Sequence, residues 1–187
     1  MSNNNHIDYE ELIKQCKKWD PKAQKQLYDL YSRAMYNVSF RIIQDKEIAE
    51  DIIQESFVQV FNKLNTFNFK STLGAWIKRI VINKSINQLH QEKRLSWLSY
   101  ENETLLDQDL PESNSENEEY QLTVTAIKDA MRKLPAGCRS VFSLRVFENY
   151  KHQEIAEILN ITTGTSKSQY ARAKELIKSS VLKKIAS

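Results

Sequence analysis

A chain of 187 residues is long enough for one medium domain or two small ones, and an apolar content of 41% suits a folded protein. Three glycines and three prolines are too few for a turn-rich all-β fold, and two distant cysteines (Cys16, Cys138) with three scattered histidines (His6, His90, His152) exclude a disulfide framework or metal cluster. The net charge of +3 hides an uneven distribution: residues 1–94 carry +4, residues 95–127 carry −8 with no Lys or Arg, and residues 128–187 carry +7. Two basic lobes flanking an acidic stretch point to a polyanionic partner.

Residues 1–10 are polar and include Asp8 and Glu10, which does not fit a secretion signal. Apolar runs such as Ile80-Val81-Ile82 are too short to span a bilayer. A soluble, cytoplasmic protein without direct membrane insertion is expected. A short helix is predicted over about 9–18. Asp20 followed by Pro21 then combines an N-cap carboxylate with proline at the first helical position. The helix they open should reach about residue 44, with Leu27, Tyr31, Met35, Val38 and Ile42 on its apolar side.

The next helix, about 45–64, gathers Ile48, Ala49, Ile52, Ile53, Val60 and Leu64 on one side. Glu47, Glu50, Asp51, Gln54 and Glu55 lie opposite, with Val58 projecting into this acidic face and Phe61 at its edge. Asp51 and Glu55 are like charges four residues apart, which costs an isolated helix about 0.2–0.5 kcal/mol. Such a face suits docking of a basic protein helix, since nucleic acid would be repelled. It also suits a solvated amphipathic helix, and the helix taken alone favours that reading.

Residues 67–91 have the opposite character. Lys70, Lys78, Arg79 and Lys84 occur without an acid, interleaved with Phe67, Phe69 and Trp76. Ser71 can cap a third helix over about 72–93. Its apolar residues occupy two sides, Leu73, Trp76, Ile77 and Ile80 on one and Ile82, Ile86 and Leu89 on the other, which predicts a helix wedged between neighbours. Arg79, Asn83 and Asn87 then share an accessible seam. Cations with aromatic rings suit a single-stranded nucleic-acid site, where ring faces replace base stacking. Core packing explains Trp76 at least as well; Phe67 and Phe69, in a loop, are better candidates for base contact.

Residues 95–120, with Pro111 and a Ser/Asn/Glu cluster, read as a flexible acidic linker. Beyond it four helices are predicted: about 121–133, one opened by Pro135 and carrying Val141, Phe142 and Leu144, a short one over 152–159, and one over 163–182. The last two join through Asn160, which tolerates a left-handed turn, Ile161, which plugs it, and Thr162, which caps the next helix. That is the length pattern of a helix-turn-helix. Ser166, Tyr170, Ala173 and Ile177 should face inward. Ser168, Ala171, Arg172 and Glu175 should face outward, with Lys167, Lys174 and Lys178 along one edge and Thr165 and Gln169 along the other. Small residues with a flanking arginine and lysines fit a major groove, although helical hairpins without DNA function share the pattern.

Taken in order, "AEDIIQESFVQVF", "FNFKSTLGAWIKRIVINKSINQLHQEKR", an acidic linker and "LPAGCRSVFSLRVFENYKHQEIAEILNITTGTSKSQYARAKELI" resemble the small two-domain extracytoplasmic-function sigma factors. The resemblance implies an all-α chain of two small helical domains: a region 2-like domain at 1–94, an acidic linker at 95–120, and a region 4-like helix-turn-helix domain at 121–187. It implies docking of the "DIIQES" helix on the coiled coil of the largest RNA polymerase subunit through Asp51, Gln54 and Glu55, beside Val58. It implies capture of the melted minus-ten strand by Phe67, Lys70, Ser71, Arg79, Asn83 and Asn87. Reading of the duplex minus-thirty-five element would fall to Thr165, Lys167, Ser168, Arg172 and Lys174. An anti-sigma factor is a further implied partner. No cofactor, metal or catalytic residue is implied, and the chain would not be an enzyme. Three departures stand out: Ser166 where the family usually has valine, Gln169 where it has arginine, and Asn160 where it has glycine. The rival readings are a stand-alone helix-turn-helix repressor and a protein-interaction adaptor.

Overall fold

The computed structural model describes residues 9–96 and 118–185, and no strand occurs among the described residues. The chain divides into two compact units, residues 1–88 and 89–187. Most of the expected linker, 97–117, lies outside the described residues, while both its ends, 95–96 and 118–120, are helical rather than extended. Among the described residues no helix is long and apolar enough to cross a membrane.

In the first unit, α1 (Tyr9–Lys17) ends in a paired closure: the Trp19 N–H donates to the Cys16 carbonyl at 3.0 Å and the Asp20 N–H to the Gln15 carbonyl at 3.2 Å. That is a Schellman turn, and it puts Trp19 at a left-handed φ of 63° where glycine is usual. The chain restarts at once as α2 (Pro21–Ile43), because the Asp20 carboxylate accepts from the backbone N–H groups of Lys22 (2.8 Å) and Ala23 (3.2 Å). The helix closes at Gln44, whose φ is 64° and whose N–H bonds the Phe40 carbonyl. Asp45 caps α3 (Lys46–Lys63) by accepting from the Ile48 N–H at 3.0 Å. A 3-10 turn, Leu64–Thr66, leads into the loop before α4 (Leu73–Ser96). There Thr72, not Ser71, supplies the cap: its Oγ1 accepts from the Ala75 N–H at 3.2 Å.

Leu27, Ile42, Phe57, Val60, Leu64, Ile77, Val81 and Ile82 form the fully buried heart of this unit. Each contributes about 1.5–3 kcal/mol relative to exposure. The two-sided wedge expected for α4 is instead one broad buried arc, running through Leu73, Ile77, Val81, Ser85, Leu89, Ile82 and Ile86, while Trp76 and Ile80, expected on the apolar side, are only half-buried. Three serines, Ser39, Ser56 and Ser85, are completely buried, one each on α2, α3 and α4. Ser85 Oγ lies 2.9 Å from the Val81 carbonyl and 3.0 Å from Ser39 Oγ, so it donates to the first and accepts from the second. Cys16 is buried too, and its thiol is pushed up to about 11 by desolvation and then by Asp20, which keeps it protonated and unreactive.

The second unit comprises α5 (Glu118–Arg132), α6 (Ala136–Val146), α7 (His152–Leu159) and α8 (Thr163–Ile185). Leu134, Cys138 and Ala173 form a buried cluster against which Phe142 and Ile177 pack, while Val141, Leu144 and Ile155 are fully buried. α8 packs on α5, α6 and α7 alike, so one long helix organises the unit.

Asp20→Ala should lower the urea midpoint of the N-terminal unit by the equivalent of about 1 kcal/mol, the usual worth of an N-cap. An unchanged midpoint would show that the two cap bonds contribute nothing.

Candidate nucleic-acid interface and acidic docking face

Helix α3 buries Ala49, Ile52, Ile53, Ser56, Phe57 and Val60 and exposes Glu47, Glu50, Asp51, Gln54 and Glu55. Val58 stands in this acidic field with 61% of its surface exposed. Glu55 is not free: its carboxylate accepts from the Lys84 ammonium of α4 at 2.6 Å, which draws it away from Asp51 and relieves their repulsion. Beside the face runs a groove of about 380 Å³, where Tyr28, Ser32, Arg33 and Tyr36 of α2 confront Glu50, Ile53 and Gln54. Burial, then the charges of Glu50 and Asp45, raise the Tyr36 phenol above its ordinary value, while Arg33 brings a cation to the same groove. The α2 wall escaped the sequence reading because periodicity treats one helix at a time.

The loop after α3 divides its two phenylalanines. Phe67, expected to meet a base, is only 5% exposed: its ring packs 5.5 Å from Trp76 and 4.8 Å from Phe69. It is a core residue. Phe69, at φ 59°, turns outward and is 56% exposed. The Asn68 side chain accepts the Lys70 N–H at 3.3 Å, which turns the loop so that Lys70 and Ser71 remain exposed. Trp76 is half-buried, whereas Arg79, Asn83 and Asn87 are exposed along one seam of α4. From Ser56 to Gln91 the chain contains no acid, and within it Lys70 and Arg79 are exposed while Lys84 pairs with Glu55.

In the second unit, Asn160 takes a φ of 52° at the end of α7, and Thr162 Oγ1 caps α8 by accepting the Thr165 N–H at 3.0 Å. Lys167, Ser168 and Arg172 are exposed, as is Lys174, whose ammonium sits 5.0 Å over the Tyr170 ring. Thr165 is half-buried, with its hydroxyl 2.8 Å from that of Thr162, and the Ser168 hydroxyl donates to the Thr165 carbonyl at 3.0 Å. Gln169 does not line an open edge as expected. Its amide is folded against Gly137, where an added Cβ would lie 2.5 Å from Gln169 Oε1. A side chain at position 137 would have to displace this amide, the movable end of the glutamine. Ser166 is fully buried, 2.9 Å from His152 Nδ1, and the His152 ring meets Tyr170 edge-on at 5.5 Å. The serine thus gains a polar partner where an aliphatic side chain would only pack.

Residues 27–95 match the Sigma-70 region 2 family and residues 125–177 match Sigma-70, region 4. The chain is 30% identical over 176 residues to the ECF RNA polymerase sigma factor SigW of Bacillus subtilis, covering 89% of this chain and 92% of that one. It is 27% identical over 180 residues to the ECF RNA polymerase sigma-E factor of Haemophilus influenzae, covering 91% and 93%. The solved sigma factor RpoE of Bartonella quintana, in complex with the anti-sigma factor NepR, superposes with a TM-score of 0.62 at 23% identity, covering 85% of this chain and 96% of that one. CnrH, solved with the cytosolic domain of CnrY, gives 0.52 at 19% identity, covering 90% and 94%. The chain belongs to the extracytoplasmic-function family of RNA polymerase sigma factors, and its function is transcription initiation.

Burial, then the charges of Arg145 and Lys167, lower the His152 pKa below its ordinary 6.5. As pH falls through 6.5 the unfolded chain takes up this proton before the folded chain does. Stability therefore falls with pH in that window. The melting temperature of the C-terminal unit should drop between pH 7.5 and 5.5, and drop less in His152→Gln; equal drops would contradict the assignment.

Proposed function

We propose that α3 docks on the coiled coil of the largest RNA polymerase subunit through Asp51, Gln54, Glu55 and Val58, with the groove wall of α2 beside them. The carrying observation is the charge division of one small unit: an acidic ridge on α3, and an acid-free segment from Ser56 to Gln91 that exposes Lys70 and Arg79. A ridge of carboxylates around an exposed valine fits a cationic protein helix and repels DNA. The loop and α4 hold the melted strand of the minus-ten element: Lys70 and Arg79 meet phosphates, Ser71, Asn83 and Asn87 meet base edges, and Phe69 takes the stacking role first given to Phe67. Contacts to unpaired bases offset the unstacking cost of a few kcal/mol, so opening needs no ATP. Helix α8 enters the major groove of the minus-thirty-five duplex through Thr165, Lys167, Ser168, Arg172 and Lys174.

In this scheme the N-terminal unit (1–94) and the C-terminal unit (121–187) are separate reading heads joined by the acidic residues 95–120. Polymerase performs the chemistry and the chain itself catalyses nothing. It works in the cytoplasm, and an anti-sigma factor holds it inactive, as fits a fold relative solved with such a partner.

Asp51→Lys is the cleaner docking test, because reversal at Glu55 would also set a cation against Lys84. It should weaken binding to polymerase core at least about tenfold, the range of a lost charge contact, with no change in the melting curve. Wild-type affinity would refute the docking face. A gel shift with and without core adds the second check: promoter binding should require core, and tight binding by the free protein would mark a stand-alone repressor instead. Arg172→Ala should cost about 1–3 kcal/mol at one upstream base pair. Uniform weakening over all sequences would make that arginine a phosphate contact.

A further inference from the structure

We infer that the turn between α1 and α2 is a second single-stranded DNA contact, in which Trp19 stacks on an unpaired base and Lys17, Lys18 and Lys22 meet the adjoining phosphates. The inference deepens the proposed strand-capture role and rests on it.

The first observation is backbone conformation. Trp19 occupies the left-handed position of the turn, with φ 63°, and is 58% exposed. Glycine takes that position at no steric cost, whereas a side chain with a Cβ is strained there. A large apolar ring held in a left-handed conformation with more than half of its surface open to solvent is not accounted for by core packing. Such an outlier is a pointer to function.

The second observation is charge. Between Leu12 and Tyr28 lie Lys14, Lys17, Lys18, Lys22 and Lys25, and the one acid is Asp20. Its carboxylate is already engaged by the first N–H groups of α2. Lys14 pairs with Glu11 and Lys25 with Asp29, which leaves the three lysines closest to Trp19 to set the local field. Cations around an exposed indole are the chemistry of a strand-binding surface: the charge follows phosphates and the ring accepts any base.

The third observation is placement. The Tyr28 ring of α2 meets the Phe57 ring of α3 at 4.7 Å. Tyr28 is seven residues past the start of α2 and Phe57 seven residues before Leu64, so the antiparallel pair brings Leu64 level with Pro21. α1 packs directly on the 3-10 turn Leu64–Thr66. The turn bearing Trp19 and the loop bearing Phe69 and Lys70 therefore emerge at the same end of the unit. A strand held at Phe69 has a cationic, aromatic continuation beside it.

The test uses polymerase core with the full-length protein and a fluorescent fork-junction DNA built on a start site mapped after overproduction of the chain. Trp19→Gly should weaken binding of the fork about tenfold, the loss expected for one stacked base, while the melting temperature holds or rises because glycine relieves the left-handed strain. The double variant Lys18→Ala, Lys22→Ala should reduce the salt dependence of fork binding. Unchanged fork affinity in Trp19→Gly overturns the inference. So does intact fork binding at saturating core accompanied by weaker core binding, which would make the turn a protein contact. Failure of the wild-type protein to hold the fork at all would overturn the strand-capture reading itself.

Discussion

Burial of α4 over more than half of its circumference is the constraint on which the N-terminal unit depends. Leu73, Ile77, Val81, Ser85, Leu89, Ile82 and Ile86 are all buried, so exposed polar residues of this helix are confined to the remaining strip. Arg79, Asn83 and Asn87 occupy that strip because nothing else is left for them. Small buried serines on α2, α3 and α4 reduce the bulk between backbones; Ser39 and Ser85 bond each other, whereas the Ser56 hydroxyl is buried without a partner. The same unit carries an acidic face on α3 and a polar, basic strip on α4, joined by the Glu55–Lys84 pair.

The second unit solves a related problem with one long helix. α8 supplies Ser166, Ala173 and Ile177 to the interior and keeps Lys167, Ser168 and Arg172 outside. Its inner face is anchored by polar as well as apolar contact. His152 and Ser166 tie the start of α7 to the second turn of α8, and Tyr170 lies between His152 and Phe142, with Lys174 over its ring. Orientation of the outward side chains therefore depends on a small network rather than on packing volume alone.

Helices, caps and faces were largely legible in the chain, because they follow from local rules. Asp20-Pro21, the Asn160 turn and the 152–159 helix depend on residues adjacent in sequence. Other features depended on contacts that periodicity does not see. Phe67 and Phe69 differ by two positions in one loop, and only the proximity of Trp76 decides that the first is buried. Ser71 and Thr72 are equally good caps on paper, and the start of α4 selects Thr72. Gln169 folds inward because Gly137, thirty-two positions earlier, leaves room for it. Ser166 reads as a weakened apolar contact until its hydroxyl is seen beside His152. The Glu55–Lys84 pair likewise joins two helices that look independent in sequence.

The central claim is that this chain lets polymerase open a promoter by giving unpaired bases a better environment than their own stack. Permanganate, which oxidises unstacked thymines, reads this directly on promoter DNA mixed with core and the protein without nucleotides. The account predicts reactive thymines in the minus-ten region only when core and protein are both present. Identical reactivity with core alone would contradict it.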